Sequence, residues 1–86
     1  FICLELAFEA LRYGKEIPTV LNAANEKAVE LFLHDQIHYY DISYIVKETM
    51  YSYIKEQYDV NKELSLELIL ETESWAYEFI ESRWKK

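Results

Sequence analysis

The segment Pro18-Thr19-Val20-Leu21-Asn22-Ala23-Ala24-Asn25-Glu26 decides the fold of this 86-residue chain. Pro18 suits the first turn of a helix, because its fixed φ matches the helix and its missing N–H would be unpaired there. Ala24 and Ala28, one turn apart, are small enough to let a neighbouring helix approach closely. The segment therefore predicts a helix that extends to about Asp35 and packs tightly inside a helical domain.

Apolar residues recur at helical spacings in three further stretches. The first ends at about Tyr13, before Gly14, the only glycine, which suits a left-handed helix C-terminus. Asp41 is expected to cap a third helix that ends near Tyr58, and Ser65 is expected to cap a fourth helix. Because the connections are short, we predict an all-α fold, a small antiparallel bundle of about four helices. The expected inward-facing residues are Cys3, Leu6, Ala7, Ala10 and Leu11; Leu21, Ala24, Ala28, Leu31 and Phe32; Ile42, Ile45, Val46, Met50 and Tyr53; and Leu66, Ile69, Leu70, Ala76, Ile80 and Trp84.

The composition excludes several classes of protein. The chain has 9 Lys and Arg against 16 Asp and Glu, a net charge of −7, which opposes binding to nucleic acid or to anionic membranes. A single glycine disfavours a glycine-rich nucleotide-binding loop, and a single cysteine cannot form an internal disulfide. We therefore expect one folded acidic domain with neither a nucleic-acid nor a membrane partner. The chain begins at Phe1 without Met, so it is expected to be cut from a longer one.

Two patterns in the sequence are typical of metal centres. His34 and His38 are four residues apart, and on a continuous helix both would face one metal ion. The backbone is expected to turn between them, so we interpret them as surface histidines. Carboxylate pairs also recur, but no Glu is followed three residues later by His, as di-metal bundles require. We expect no catalytic, cofactor-binding or metal-binding residue here, and a small di-metal helical enzyme remains an alternative.

Two asparagines in the opening segment require specific partners. Asn22 and Asn25 are poor helix formers, because their amides compete for nearby backbone groups. Each could satisfy the loose ends of an adjacent loop, or it could present its amide to a ligand. With Glu26 they are expected to organise the start of the second helix and its docking surface. Asn25→Leu would then cost on the order of 1–3 kcal/mol by leaving partner groups unpaired.

A family resemblance rests on the order of several motifs. Leu-Asn-Ala-Ala-Asn-Glu at 21–26 is preceded by Leu-Ala-Phe-Glu-Ala-Leu at 6–11 and followed by Ala-Val-Glu at 28–30. Asp-Ile at 41–42 and the stretch 66–76 continue the match in the same order. Together these motifs closely resemble the C-terminal helical domain of 1-deoxy-D-xylulose 5-phosphate reductoisomerase. The resemblance implies that residues 1–86 form a single C-terminal domain of a larger enzyme.

The resemblance also implies what the parent enzyme does. Members of this family isomerise 1-deoxy-D-xylulose 5-phosphate and reduce the intermediate to 2-C-methyl-D-erythritol 4-phosphate, in the non-mevalonate isoprenoid pathway. The implied cofactors are NADPH and Mg²⁺ or Mn²⁺, held by catalytic domains of the same chain that lie outside these residues. The implied parent is a homodimer in the cytoplasm, or in a plastid if eukaryotic. A free-standing helical module that binds another protein through its aromatic face is the alternative.

Overall fold

The computed structural model describes residues 2–85, with side chains from Cys3 onward. Four helices are present: α1 (Ile2–Tyr13), α2 (Ile17–Leu33), α3 (Asp41–Glu56) and α4 (Leu66–Trp84). Residues 2–85 contain no β-strand. The predicted all-α fold of about four helices is confirmed.

Contacts between α2, α3 and α4 define the directions of these helices. The Tyr53 hydroxyl contacts both Glu16, just before α2, and Thr72 in the first half of α4. Further along α2, Lys27 contacts Glu81 near the end of α4 at 3.0 Å, so α2 and α4 run in the same direction. Helix α3 runs against both, because Tyr44 near its start contacts Trp84 at the end of α4 and Tyr53 near its end contacts Trp75. Helix α2 packs against the other three helices, whereas within residues 2–85 α1 contacts only α2 and α3.

The core is built around α2. Ala24 and Ala28 are fully buried, so neighbouring helices approach α2 where the small residues predicted close packing. Ile17, Val20 and Ala23 are also buried, and they widen the inward face of α2 beyond the predicted stripe. The central cluster comprises Leu6, Ala10, Ile17, Val20, Ala24, Ala28, Leu31, Ile45, Val46, Met50, Tyr53 and Ile80.

The predicted inward faces of α1 and α4 are partly wrong. In α4, Leu68 and Thr72 are buried, whereas the predicted Leu66 and Leu70 are exposed and the predicted Ile69 is only partly buried. Because apolar residues occupy several adjacent positions at the start of α4, periodicity alone cannot select the buried face. Four residues predicted inside are exposed: Cys3, Leu11, Leu66 and Leu70.

Three of the helix boundaries form as predicted, and the first of them is the start of α2, where Pro18 lies in the first turn. Gly14 has φ +72°, the left-handed conformation expected after the end of α1. Ser65 caps α4, because its side-chain oxygen accepts a hydrogen bond from the Leu68 backbone N–H at 3.1 Å. These two residues fix where α1 ends and where α4 begins.

The other predicted boundaries need correction. Asp41 does not cap α3 but is its first residue, and its carboxylate accepts the His38 backbone N–H at 2.9 Å. Helix α2 ends at Leu33, before Asp35, because Asp35 itself adopts the left-handed φ of +58°. Helix α3 likewise ends at Glu56, two residues early.

A row of aromatic rings, termed the aromatic seam, joins α3 to α4. Trp75 stacks on Phe79 with a centroid distance of 5.0 Å and meets Tyr53 of α3 edge-on at 5.2 Å. Trp84 contacts Phe79 at 6.1 Å and Tyr44 at 6.4 Å. Because Tyr44 lies in the first turn of α3 and Trp84 is the last residue of α4, the aromatic seam also shows that the two helices are antiparallel.

Candidate docking site and a buried carboxylate

Asn22 and Glu26 lie on the exposed side of α2 and are linked to α4. The Asn22 amide donates a hydrogen bond to Glu26 Oε1 at 3.2 Å, and the other carboxylate oxygen accepts from the Tyr77 hydroxyl at 3.0 Å. Partial burial and this hydrogen bond to Glu26 raise the pKa of Tyr77 above its ordinary value. The two predicted residues therefore form one chain of hydrogen bonds between helices.

Asn25 behaves differently from its neighbours. Its side chain is exposed and makes no hydrogen bond within residues 2–85. The stability loss expected for Asn25→Leu therefore has no basis in the contacts of this domain. The Asn25 amide is available to a group outside the domain.

Asn22 and Asn25 line a shallow groove where α1, α2 and α3 meet. The groove has a volume of about 280 Å³, and its other walls come from Cys3, Pro18, Leu21 and Val46. The asparagine amides are its polar edge, while the remaining walls are mostly apolar. Such a surface suits a short protein segment that brings apolar side chains and backbone polar groups.

A buried carboxylate was not predicted from the sequence. Glu16, in the turn before α2, is 1% exposed, and its Oε2 accepts a hydrogen bond from the Tyr53 hydroxyl at 2.7 Å. The Tyr53 oxygen also lies 3.2 Å from Thr72 Oγ1, and Thr72 donates to the Leu68 carbonyl at 2.7 Å. Glu16 Oε1 is buried without a partner among the described residues. The carboxylate therefore depends on one side-chain donor.

Tyr53 is the centre of this buried network. Burial, and then the hydrogen bond to Glu16, raise the pKa of Tyr53 to about 12. The sequence did carry a signal, because a tyrosine in a predicted core stripe needs a polar partner for its hydroxyl. What the sequence could not supply was the identity of that partner, which lies 37 residues away.

A second polar contact between helices involves Lys27. Its ammonium lies 2.9 Å from Glu30 and 3.0 Å from Glu81 of α4. Partial burial opposes the charge on Lys27, but the hydrogen bonds to both carboxylates outweigh it and raise the pKa of Lys27. The Lys27–Glu81 contact joins the second half of α2 to the last turns of α4.

The two histidines lie on the surface, as interpreted from the sequence. His34 follows the end of α2, and its Nδ1 lies 2.8 Å from the Glu30 carbonyl oxygen. His38 lies in the α2–α3 connection, where its ring stacks on Tyr40 with centroids 5.5 Å apart. In the described part of the chain, no three His, Cys, Asp or Glu residues are placed to hold a metal ion.

The described helices also bear on membrane association. None of them combines the length and the apolar character that crossing a bilayer requires.

Comparisons with known proteins point to one family. Residues 1–79 match the family model described as the DXP reductoisomerase C-terminal domain. The chain is 43% identical over 81 residues to 1-deoxy-D-xylulose 5-phosphate reductoisomerase of Acetivibrio thermocellus. The aligned region covers 94% of this chain and 20% of that protein. The chain is 39% identical over 83 residues to the Synechococcus sp. enzyme of the same name, covering 96% of this chain and 20% of that protein.

A eukaryotic relative carries the same segment. The apicoplastic 1-deoxy-D-xylulose 5-phosphate reductoisomerase of Plasmodium falciparum is 42% identical over 76 residues, covering 88% of this chain and 16% of that protein. No solved structure matches the chain. The chain thus spans about a fifth of the length of the curated relatives that it matches.

Proposed function

Because this chain belongs to the family of DXP reductoisomerase C-terminal domains, we propose that it is the C-terminal structural domain of a 1-deoxy-D-xylulose 5-phosphate reductoisomerase. The match over residues 1–79 carries this proposal. The domain is non-catalytic by itself, and its work is to support the catalytic domains of the same chain. Asn22, Asn25 and Glu26 belong to the surface that meets those domains.

The proposed parent reaction has two parts. The enzyme isomerises 1-deoxy-D-xylulose 5-phosphate and reduces the product to 2-C-methyl-D-erythritol 4-phosphate, a step of non-mevalonate isoprenoid biosynthesis. NADPH supplies the hydride, and Mg²⁺ or Mn²⁺ supplies positive charge beside the substrate oxygens. Both groups are proposed to bind outside this domain.

The residues of the domain support the proposal that both cofactors bind elsewhere in the parent. The single glycine, Gly14, lies in the tight turn between α1 and α2, so it does not form a phosphate-binding loop of several glycines. Carboxylates and histidines of the described residues do not form a group that could hold a metal ion.

The structure of the domain suits a supporting role. The aromatic seam, the Glu16–Tyr53 contact and the Lys27–Glu81 contact each join two or more helices. We further propose that the parent is a homodimer in the cytoplasm, or in a plastid if eukaryotic. The net charge of −7 supports the absence of nucleic-acid and membrane partners.

The test is an activity assay on the full parent chain beside the 86-residue chain. We expect the full chain to oxidise NADPH when given 1-deoxy-D-xylulose 5-phosphate and a divalent cation. The 86-residue chain, at equal concentration, should give no rate above the blank. A full chain that folds but never turns over would refute the proposal and favour a helical module that binds another protein.

A further inference from the structure

Helix α1 has a second apolar face that the bundle leaves uncovered. We propose that this face, formed by Leu4, Phe8 and Leu11 and termed the outer stripe, docks onto the domain that precedes α1 in the parent polypeptide. The inference rests on the proposed function, because it takes the partner to be another domain of the same reductoisomerase chain.

The outer stripe is distinct from the face that α1 buries. Leu6 and Ala10 point into the core, whereas Leu4, Phe8 and Leu11 are 56%, 57% and 69% exposed. Spacings of four and three residues place these three side chains in one row along the helix. A helix that is apolar on two faces is typical of one buried between two layers of protein. The described bundle supplies only one of those layers.

The rest of the parent chain is the natural occupant of this face. The family is a C-terminal domain, and the chain spans 20% of its Acetivibrio relative, so most of such a protein precedes this segment. Helix α1 is the first element of the domain, so it lies closest along the polypeptide to the preceding domain. It is also free of contacts with α4 in residues 2–85, so only one side of α1 is covered.

The size and charge of the outer stripe disfavour a second copy of this chain. Taking about 200 Å² for a fully exposed large side chain, the three residues expose roughly 300–400 Å². A stable complex of separate molecules buries about 800 Å² on each partner. A small contact is sufficient, however, when a linker holds the partner nearby and raises its effective concentration. Two copies would also repel each other, since each carries a net charge of −7.

Hydrogen exchange measured by mass spectrometry tests the proposal in the full parent chain. Peptides from α1 should exchange on the order of tenfold more slowly in the full chain than in the 86-residue chain, because docking must be released before α1 can open. Leu11→Gln should remove most of this difference. Leu66→Gln is the matched control, because Leu66 is 71% exposed and Gln preserves helix propensity in both variants.

The outcomes separate the docking surface from the proposed function. Equal exchange of α1 in the full and the 86-residue chains would overturn the proposal, and so would equal effects of the two variants. Sedimentation of the 86-residue chain as a dimer that Leu11→Gln dissociates would overturn it in favour of a second copy. If α1 is protected in a full chain that shows no reductoisomerase activity, the docking stands and the proposed function fails. Circular dichroism of both variants in the 86-residue chain should match the unsubstituted chain, so that lost docking is distinguished from lost folding.

Discussion

Tyr53→Phe isolates the contribution of the buried Glu16 network. The substitution removes the hydroxyl that donates to Glu16 Oε2 at 2.7 Å and leaves the ring packed against Trp75. Glu16 Oε1 already lacks a partner among the described residues, so the carboxylate would lose its one side-chain donor. A hydrogen bond to a carboxylate contributes about 1.5–3 kcal/mol, and leaving a buried polar group without its partner costs about 1–3 kcal/mol or more. We expect a loss of about 2–4 kcal/mol in the free energy of unfolding.

Urea unfolding of the 86-residue chain, followed by circular dichroism, measures this loss. Tyr44→Phe is the control, because Tyr44 is exposed and its ring also contacts a tryptophan of α4. Glu16→Leu completes a double-mutant cycle. When the carboxylate is absent, Tyr53→Phe no longer leaves a buried carboxylate without its hydrogen-bond donor. The coupling between the two sites should be at least about 1.5 kcal/mol. If Tyr53→Phe lies within about 0.5 kcal/mol of the control, the buried carboxylate does not depend on Tyr53 and the reasoning is refuted.

Three further predictions concern pH, packing and the docking site. Folding raises the pKa of Tyr53 from 10.0 to about 12. The contribution of neutral Tyr53 to the free energy of unfolding should therefore be fully present below pH 10 and be lost as the pH rises toward 12. In alkaline urea titrations, Tyr53→Phe should remove up to about 3 kcal/mol of that loss in the free energy of unfolding, and an unchanged slope would contradict the assignment. Ala28→Leu should lower the free energy of unfolding by about 1–3 kcal/mol, because it overpacks the fully buried centre of α2. Unaltered stability in urea would disprove the close approach of neighbouring helices to α2 at Ala28. Asn25→Leu should change stability by less than about 0.5 kcal/mol, and a loss above 1 kcal/mol would indicate a partner inside the domain.

Local signals in the sequence predict where helices form and end better than they predict which face of a helix is buried. Gly14 and Ser65 act at single positions through backbone conformation and one hydrogen bond, so sequence alone located them. The buried face of α4 depends on which side of its first turns meets the bundle. Leu66 and Leu68 are equally apolar, and only the packed neighbours of α4 decide that Leu68 is buried.

The candidate site was predicted only in part for a related reason. Asparagine is unusual inside a helix, so sequence alone points to Asn22, and Glu26 follows it in the same segment. Both take part in one hydrogen-bonded chain to α4. Glu16 carried no such local signal, since a glutamate in a polar turn is ordinarily solvated. Its burial results from contact with Tyr53, which is distant in sequence. Interactions of this kind follow from the tertiary arrangement and leave no periodic pattern.

The aromatic seam determines which events intrinsic fluorescence can report. Both tryptophans of the chain, Trp75 and Trp84, belong to α4 and contact rings of α3. Tryptophan emission will therefore follow separation of α3 from α4, while release of α1 from the bundle will leave it nearly unchanged. Far-ultraviolet circular dichroism senses all four helices, each in proportion to its length. A difference between the two unfolding curves would thus reveal α1 detaching as a separate step.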